Sequence, residues 1–392
     1  MNRSVVESPQ ILLAAGVALS LALLAQRPLD AAAPAAPADG KRSEKPMKPD
    51  INAKVMPAFQ TLADTTPMQL AWDAKTIDEH CAWRARFHTK VVELLGRMPE
   101  RVPLAVEWAE KKAFPTLVRH KIYVRTEANY WSPAYYFVPK KLKGKTPAIV
   151  CLHGHSGIYP YIREGDEKLQ AKTKRLSLDY AVYLAEHGYI TIAPVVRGWD
   201  ETAADQDRGA GNRRSCLRVT MNAFLMGMTP MGLRCWDAMR LIDFLETQAD
   251  VDAERIGVAG LSGGGTLSTY LPVLDDRVRL VMIAGAFCSY RASIYSIYHC
   301  YCNCLPHIMQ YGDMSDVVAL HAPRPVLLIN GIKDKIFPIA PAREGYEKLK
   351  KVYALLGVPD RLDADFFDGP HAWSNKKSLP FLEKHFGKKA RP

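Results

Sequence analysis

The sequence predicts an α/β fold in which a mostly parallel central sheet is covered by helices on both faces. Short apolar runs, typical of buried parallel strands, alternate with amphipathic helical patterns through most of the chain. A glycine-rich turn at 260–264 joins one such run to a helical segment. The composition agrees with this fold class, because 392 residues of which 48% are hydrophobic can bury a large core.

The first 33 residues have the pattern of a secretory signal peptide. A basic start at Arg3 precedes an apolar run at 11–25, which is shorter than the roughly 20 residues that a bilayer span needs. Small residues at 31–33 then offer a cleavage site. We therefore expect residues 1–33 to be a signal peptide, the protein to be exported, and no stable membrane span to remain. An uncleaved N-terminal anchor is the alternative.

Two further segments precede the main domain. Residues 34–70, whose first part is rich in Ala, Pro and Lys, are expected to be a disordered linker. Residues 71–100 are expected to form an N-terminal helical extension, because Thr76 and Glu79 have the spacing of a capping box and Gly96 provides a stop. Its expected apolar face consists of Ile77, Cys81, Phe87, Val91 and Leu94.

Residues 101–392 are expected to form the catalytic domain. An antiparallel pair at 116–125 and 131–138 comes first. The buried strands that follow are predicted at 148–152, 189–193, 256–259, 280–283, 326–329 and 365–367. Helices are predicted at 177–188, from Thr229-Pro230, after the glycine turn up to Pro272, and from Pro341 to Gly357.

The turn at 260–264 has the Gly-x-Ser-x-Gly pattern of a nucleophile elbow. In such a turn the serine is held in a strained conformation, and the flanking glycines leave space that a side chain would fill. Ser262 is therefore the predicted nucleophile. A serine that merely caps the following helix is the alternative.

The other candidate catalytic residues follow neighbouring strands, where ligands bind in open α/β sheets. A serine nucleophile needs a base within hydrogen-bond reach, and that base needs a carboxylate behind it. His371 follows the last strand and is the predicted base, with His307, His321 and His385 as weaker rivals. Asp334 is the predicted acid, with Asp313 and Asp368 as substitutes.

A developing oxyanion needs two fixed hydrogen-bond donors. The sequence predicts the backbone N–H of Gly263 as the first donor and that of His155 as the second. His153 is expected to have a structural role in the same loop.

The cysteines and the net charge define what else the chain is expected to bind. Cys300, Cys302 and Cys304 lie in one segment, but their spacing lacks the paired C-x-x-C of structural zinc sites, so no metal is expected. They are expected to shape a loop near the site.

The net charge of +11 is scattered and forms no basic stripe with aromatic residues, so nucleic-acid binding is not expected.

From residue 131 to 386 the chain resembles α/β-hydrolases of the dienelactone-hydrolase and acetyl-xylan-esterase-like group. The matching motifs lie at 153–157, 197–198, 260–264, 331–334 with 337–338, and 369–371, and the segment 299–306 resembles exported members of the group. The resemblance implies a serine esterase that uses no cofactor. Dienelactone hydrolases proper use a cysteine nucleophile, and this departure argues against their reaction.

The expected function is removal of small acyl groups, acetyl above all, from carbohydrate or similar esters. The charged inserts at 163–168 and 205–208 are unlike the apolar surface of a lipase. Trp199 and Tyr159 are candidates to stack on a sugar or to pack locally. An aminopeptidase or amidase of the prolyl-oligopeptidase-like type and a catalytically inactive binding protein are the alternatives.

Overall fold

A nine-stranded sheet forms the centre of the structure. The computed structural model describes residues 54–387, so the predicted signal peptide at 1–33, the linker up to residue 53 and residues 388–392 lie outside the described residues. In chain order the strands are β1 (Val106–Ala113), β2 (Leu117–Glu127), β3 (Tyr130–Pro139), β4 (Thr146–Leu152), β5 (Ile190–Pro194), β6 (Val251–Leu261), β7 (Val278–Ala284), β8 (Val326–Gly331) and β9 (Leu362–Phe367).

The sheet is mostly parallel, as the sequence predicts. Its spatial order is β1-β2-β3-β5-β4-β6-β7-β8-β9. The first three strands are antiparallel to one another and β3 is antiparallel to β5, whereas all neighbours from β5 to β9 are parallel. The predicted antiparallel pair is β2 and β3. Strand β1 was missed, because it is an exposed, charged edge strand with no buried face to create an apolar pattern.

Helices cover both faces of the sheet. Within residues 54–387 they are α1 (Val55–Thr65), α2 (Ile77–Leu95), α3 (Glu167–Leu176), α4 (Tyr180–Glu186), α5 (Asn212–Leu225), α6 (Pro230–Glu246), α7 (Gly263–Leu274), α8 (Met314–Ala319), α9 (Ile339–Leu355) and α10 (Asn375–Phe386). In this part of the chain no helix combines the length and the apolar character needed to cross a bilayer.

Alternating side chains of β4 show how the two faces are filled. Val150 belongs to a buried cluster that includes Phe244 of α6. Its neighbour Ile149 points to the other face and belongs to a second cluster with Leu184 of α4 and Leu382 of α10. Because both sets of residues are fully buried, the central strands carry the continuous apolar runs that the sequence displays.

Two predicted helix boundaries differ from the structure. Pro272 lies inside α7, and the helical hydrogen bonding continues past it from the Asp275 N–H to the Leu271 carbonyl. Helix α9 begins two residues before Pro341. The first turn of a helix accepts a proline because the N–H groups of that turn have no partner within the helix. Prolines in the first or last turn therefore mark these helix ends only approximately.

The predicted capping box begins α2. The Thr76 hydroxyl accepts a hydrogen bond from the Glu79 N–H (3.1 Å), and the Glu79 carboxylate accepts one from the Thr76 N–H (3.2 Å). Gly96 ends the helix with a φ of 84°, a value that favours glycine. The cap and the stop of this helix were therefore encoded locally.

The buried face of α2 differs from the expected one. Ile77 is 55% exposed and Cys81 is also exposed. The buried residues are His80, Trp83, Phe87, Val91 and Leu95. Sequence reasoning passed over His80 because it is polar, but its Nδ1 accepts a hydrogen bond from Trp72 Nε1 (3.1 Å), which allows the ring to be buried.

The end of the predicted linker is also structured. Residues assigned to it form α1, although none of its side chains is buried. The helix is tethered by a hydrogen bond from the Tyr295 hydroxyl to the Phe59 carbonyl (2.6 Å) and by an ion pair between Arg291 and Asp64 (2.5 Å). The composition that favoured disorder belongs to the residues before α1.

The buried face of α2 predicts a difference in stability between two substitutions on one helix. Phe87→Ala removes a fully buried ring stacked on Trp83 and should lower the free energy of unfolding by about 3–5 kcal/mol. Ile77→Ala is the matched control and should change it by less than about 0.5 kcal/mol. Urea unfolding measures both values, and equal losses would contradict the assignment of the buried face.

Candidate active site

Ser262 lies at a strained turn between β6 and α7. Its backbone has φ 61° and ψ −123°, a conformation that residues other than glycine seldom adopt. The Ser262 N–H donates to the carbonyl of Ala284 on β7 (2.9 Å), which ties the turn to the neighbouring strand. The side chain is half-buried at the carboxyl edge of the sheet.

This turn requires glycine because the surrounding backbone leaves no room for a side chain. A methyl group added to Gly260 would lie 2.1 Å from the Gly264 carbonyl oxygen. One added to Gly264 would lie 1.8 Å from the carbonyl oxygen of Leu152, the last residue of β4. Since backbone atoms form both contacts, neither position accommodates a larger residue without moving the sheet or α7.

Asp334 and His371 lie at the same edge and contact each other. His371 Nδ1 is 2.7 Å from Asp334 Oδ2, and the Asp334 side chain is fully buried. The other oxygen of Asp334 accepts hydrogen bonds from the N–H groups of Ile336 (2.7 Å) and Phe337 (3.2 Å). The carboxylate is therefore fixed in one orientation behind the imidazole.

The His371 ring lies next to the serine turn. A methyl group added to Gly285 would be 2.9 Å from His371 Cε1 and 3.1 Å from a methyl carbon of Leu261, the residue before Ser262. His371 Nε2 is buried and has no hydrogen-bond partner among residues 54–387. The ring therefore keeps one nitrogen on Asp334 and the other available.

The alternative residues are placed elsewhere. Asp313 caps α8, and Asp368 is exposed and pairs with Lys333 (2.6 Å). His321 is fully buried, and burial lowers its pKa to about 3. Of the candidate acids in the described part of the chain, Asp334 is the one in contact with His371.

The predicted oxyanion residues meet above the start of α7. Gly263 is the first residue of the helix, and a methyl group added to it would lie 2.7 Å from His155 Cε1. A methyl group added to Gly154 would lie 3.0 Å from Ser262 Cβ. The loop after β4 thus rests directly on the serine turn, next to the positive end of the α7 dipole.

His153 has a purely internal set of contacts. Its Nδ1 is 2.8 Å from the Gly154 carbonyl oxygen, and its Nε2 accepts a hydrogen bond from the Val196 N–H (2.9 Å). This pattern requires a neutral ring, and burial lowers the pKa of His153 to about 4. The expectation that His153 is structural agrees with these contacts.

A cleft of about 520 Å³ opens over Ser262. Its walls include Trp199, as expected, and Arg213, whose guanidinium lies 5.0 Å from the Tyr298 ring centre. Tyr159 lines a separate depression beside α3 and not this cleft. Arg213 and Tyr298 were not predicted, since no local pattern shows that their loops cover the site.

Four potential metal ligands meet on one side of the cleft. One ring nitrogen of His155 and the sulfur atoms of Cys216, Cys300 and Cys302 all lie within 4.8 Å of one another. The third clustered cysteine, Cys304, is not among them. Sequence reasoning missed Cys216 and the His155 side chain, because neither lies in the motif that drew attention to the cysteines.

Comparison with known protein sequences gives a family and a relative. The sequence profile of the Abhydrolase family matches residues 54–372. A proposed hydrolase, YtaP of Bacillus subtilis (strain 168), is 26% identical over 286 residues, which span 71% of this chain and 90% of YtaP.

Solved structures show the same fold. A Bacteroides fragilis protein proposed to be an acetyl xylan esterase aligns with a TM-score of 0.68 at 18% identity, covering 81% of this chain and 83% of its own. A glucuronoyl esterase from Solibacter usitatus aligns with a TM-score of 0.61 at 17% identity, covering 82% and 98%. The α/β-hydrolase fold that the sequence predicts is confirmed.

The buried histidines predict that stability falls in mild acid. Burial, together with repulsion from His155 and His371, lowers the pKa of His299 to about 4. Burial, with repulsion from Arg234 and His155, lowers the pKa of His153 to about 4 as well. Both rings are neutral in the fold, while the unfolded chain takes up protons near pH 6.5. The two neutral rings contribute fully to the free energy of unfolding above about pH 6.5. This contribution is lost as the pH falls toward about 4, and the loss for His153 is up to about 3 kcal/mol.

Urea unfolding at a series of pH values measures this loss. The variant His299→Gln should show a shallower fall in the free energy of unfolding between pH 6.5 and 4, because one of the two groups no longer titrates. An unchanged slope would mean that His299 is protonated equally in the folded and unfolded states.

Proposed function

The chain belongs to the Abhydrolase family, and from this premise we propose that it is a serine carboxylesterase that removes small acyl groups, in particular acetyl, from carbohydrate or similar esters. The observation that carries the proposal is the hydrogen bond between buried Asp334 and His371 beside the strained turn of Ser262. A nucleophile, a base and an orienting carboxylate are the parts that acyl transfer requires.

The proposed reaction proceeds through an acyl-enzyme. Ser262 Oγ attacks the acyl carbon while His371 Nε2 accepts the hydroxyl proton. The N–H groups of Gly263 and His155 stabilise the oxyanion, and the protonated His371 then donates to the leaving alcohol. Water, activated by His371, releases the acid. Asp334 holds the imidazole so that Nδ1 carries a proton and Nε2 is the base.

The cleft supports a polar leaving group. Asn212, Arg213 and Ser156 contribute polar groups to its walls, and the exposed Tyr298 ring offers a face for a sugar. The names of two structural neighbours, an acetyl xylan esterase and a glucuronoyl esterase, describe carbohydrate esterases. The export signal that we predict at 1–33 suits such a substrate outside the cell.

Substitution of the proposed triad should abolish turnover with little effect on folding. Ser262→Ala and His371→Ala should each lower kcat by about 10⁴–10⁶-fold, and the double variant should be scarcely slower than either. Asp334→Asn should cost about 10⁴-fold because the imidazole takes the wrong tautomer. Steady-state hydrolysis of p-nitrophenyl acetate measures each rate.

Asp368→Asn is the matched control, since this exposed aspartate was the other candidate after a strand end. It should keep near-full activity. A fluorophosphonate probe should label the Asp368→Asn protein and should fail to label the Ser262→Ala protein. An active Asp334→Asn protein would show that Asp334 is not the acid of the triad. Labelling of the Ser262→Ala protein would show that Ser262 is not the nucleophile.

The acyl preference is a separate prediction. A pocket sized for acetyl should reject longer chains by about 1–3 kcal/mol of overpacking, which corresponds to about ten- to two-hundred-fold in kcat/KM. Rates on p-nitrophenyl acetate, butyrate and octanoate, followed by acetate release from acetylated xylan, measure it. Faster turnover of octanoate than of acetate would contradict the acetyl pocket without affecting the triad.

A further inference from the structure

The thiol cluster beside the cleft is assembled from three distant parts of the chain. His155 lies in the loop after β4, Cys216 lies on α5, and Cys300 and Cys302 lie in the loop after β7. Cys216 and Cys302 are buried, whereas His155 and Cys300 are half-buried at the cleft wall. Nothing in the proposed ester hydrolysis uses the three sulfur atoms.

Three of the six separations between these atoms are close to the edges of a tetrahedral zinc site. Cys216 Sγ and Cys302 Sγ each lie 3.4 Å from Cys300 Sγ, and His155 Nε2 lies 3.1 Å from Cys302 Sγ. Ligands at about 2.1–2.3 Å from a tetrahedral zinc ion are separated by about 3.4–3.8 Å. Since all four ligand atoms lie within 4.8 Å of one another, shifts of about 1 Å or less would close the cluster around one ion.

The charge around the cluster points to a site for a cation with thiolate ligands. Arg234 of α6 is buried, and among residues 54–387 its hydrogen-bond partners are the Arg197 carbonyl and Cys216 Sγ (3.2 Å), with no carboxylate in ion-pair range. A buried guanidinium requires a nearby negative charge. Three thiolates around Zn²⁺ carry one net negative charge, which Arg234 would balance.

We propose that His155, Cys216, Cys300 and Cys302 bind one Zn²⁺ ion in a closed structural site. Three thiolates and an imidazole are a donor set that zinc prefers, and four protein ligands leave no position for a reacting water. Binding releases the protons of the three thiols to solvent. The ion joins the loop after β4 to α5 and to the loop after β7, so it holds the His155 ring against Gly263.

A disulfide between Cys216 and Cys300 is the main competing use of these sulfur atoms. It would bring them to about 2.05 Å and consume two of the four ligands. It would also leave the buried Arg234 guanidinium against an uncharged disulfide sulfur, with no negative charge supplied by Cys216. The ligand geometry and the charge together therefore favour the metal site.

Metal analysis of the purified full chain tests the proposal. The protein is reduced with a phosphine, incubated with zinc sulfate, desalted and analysed by mass spectrometry of the elements. We expect about one zinc ion per chain in the unmodified protein. Cys216→Ser and Cys302→Ser should lose it, whereas Cys304→Ser, the matched control from the same segment, should retain it.

Two further measurements separate this proposal from the proposed hydrolysis and from failures of folding. Ser262→Ala should retain the zinc ion, so an inactive protein can still support the site. Cobalt exchanged into the unmodified protein should show thiolate-to-cobalt charge-transfer bands, a result that depends on no variant.

Three results would overturn the proposal. They are a reduced protein that binds no zinc, zinc that persists in both Cys216→Ser and Cys302→Ser, and a cobalt protein that lacks charge-transfer bands. Peptide mapping that finds a Cys216–Cys300 disulfide in a zinc-free protein would assign the cluster to the competing use.

Discussion

The close packing of backbone around Ser262 is the constraint on which the rest of the site depends. Gly264 at the start of α7 presses against the carbonyl of Leu152, so the end of β4 and the start of the helix cannot move independently. This contact brings the loop after β4 onto the serine turn, with Gly154 against the Ser262 side chain. The strained backbone of Ser262 persists because its N–H is held by Ala284 on the next strand.

Buried charge organises the groups around that turn. Asp334 is buried with two backbone N–H donors and His371, and Arg197 is balanced by Asp237 (2.7 Å) and Glu127 (2.5 Å). Within residues 54–387 no such carboxylate pairs with Arg234, which faces a sulfur atom instead. A thiolate-rich metal site would resolve this imbalance and would join the loops that form the cleft. The serine turn and the thiol cluster would then share one wall, through His155.

Local sequence patterns predicted the features whose causes are local. The strands β4 to β9, the cap of α2 and the glycine turn at Ser262 were read from apolar runs, capping residues and turn residues. The contact between Asp334 and His371 followed from a topological rule, because both residues come directly after strands of one parallel sheet. Their catalytic roles stay predictions. The errors occurred where packing overrode the pattern, as in the buried face of α2, which includes a histidine, and in the placement of Tyr159 outside the cleft.

The sequence by itself determined the fold class, the strands β2 to β9 and the positions of Ser262, Asp334 and His371 at the carboxyl edge of the sheet, since each follows from the order of strands and turns along the chain. Only the tertiary structure decided which side chains from distant segments meet. His155 and Cys302 are 147 residues apart, and Cys216 and Cys300 are 84 apart. Their contact depends on how the loops after β4 and β7 pack against α5, and such packing arises from the shapes of many side chains rather than from any spacing in the sequence.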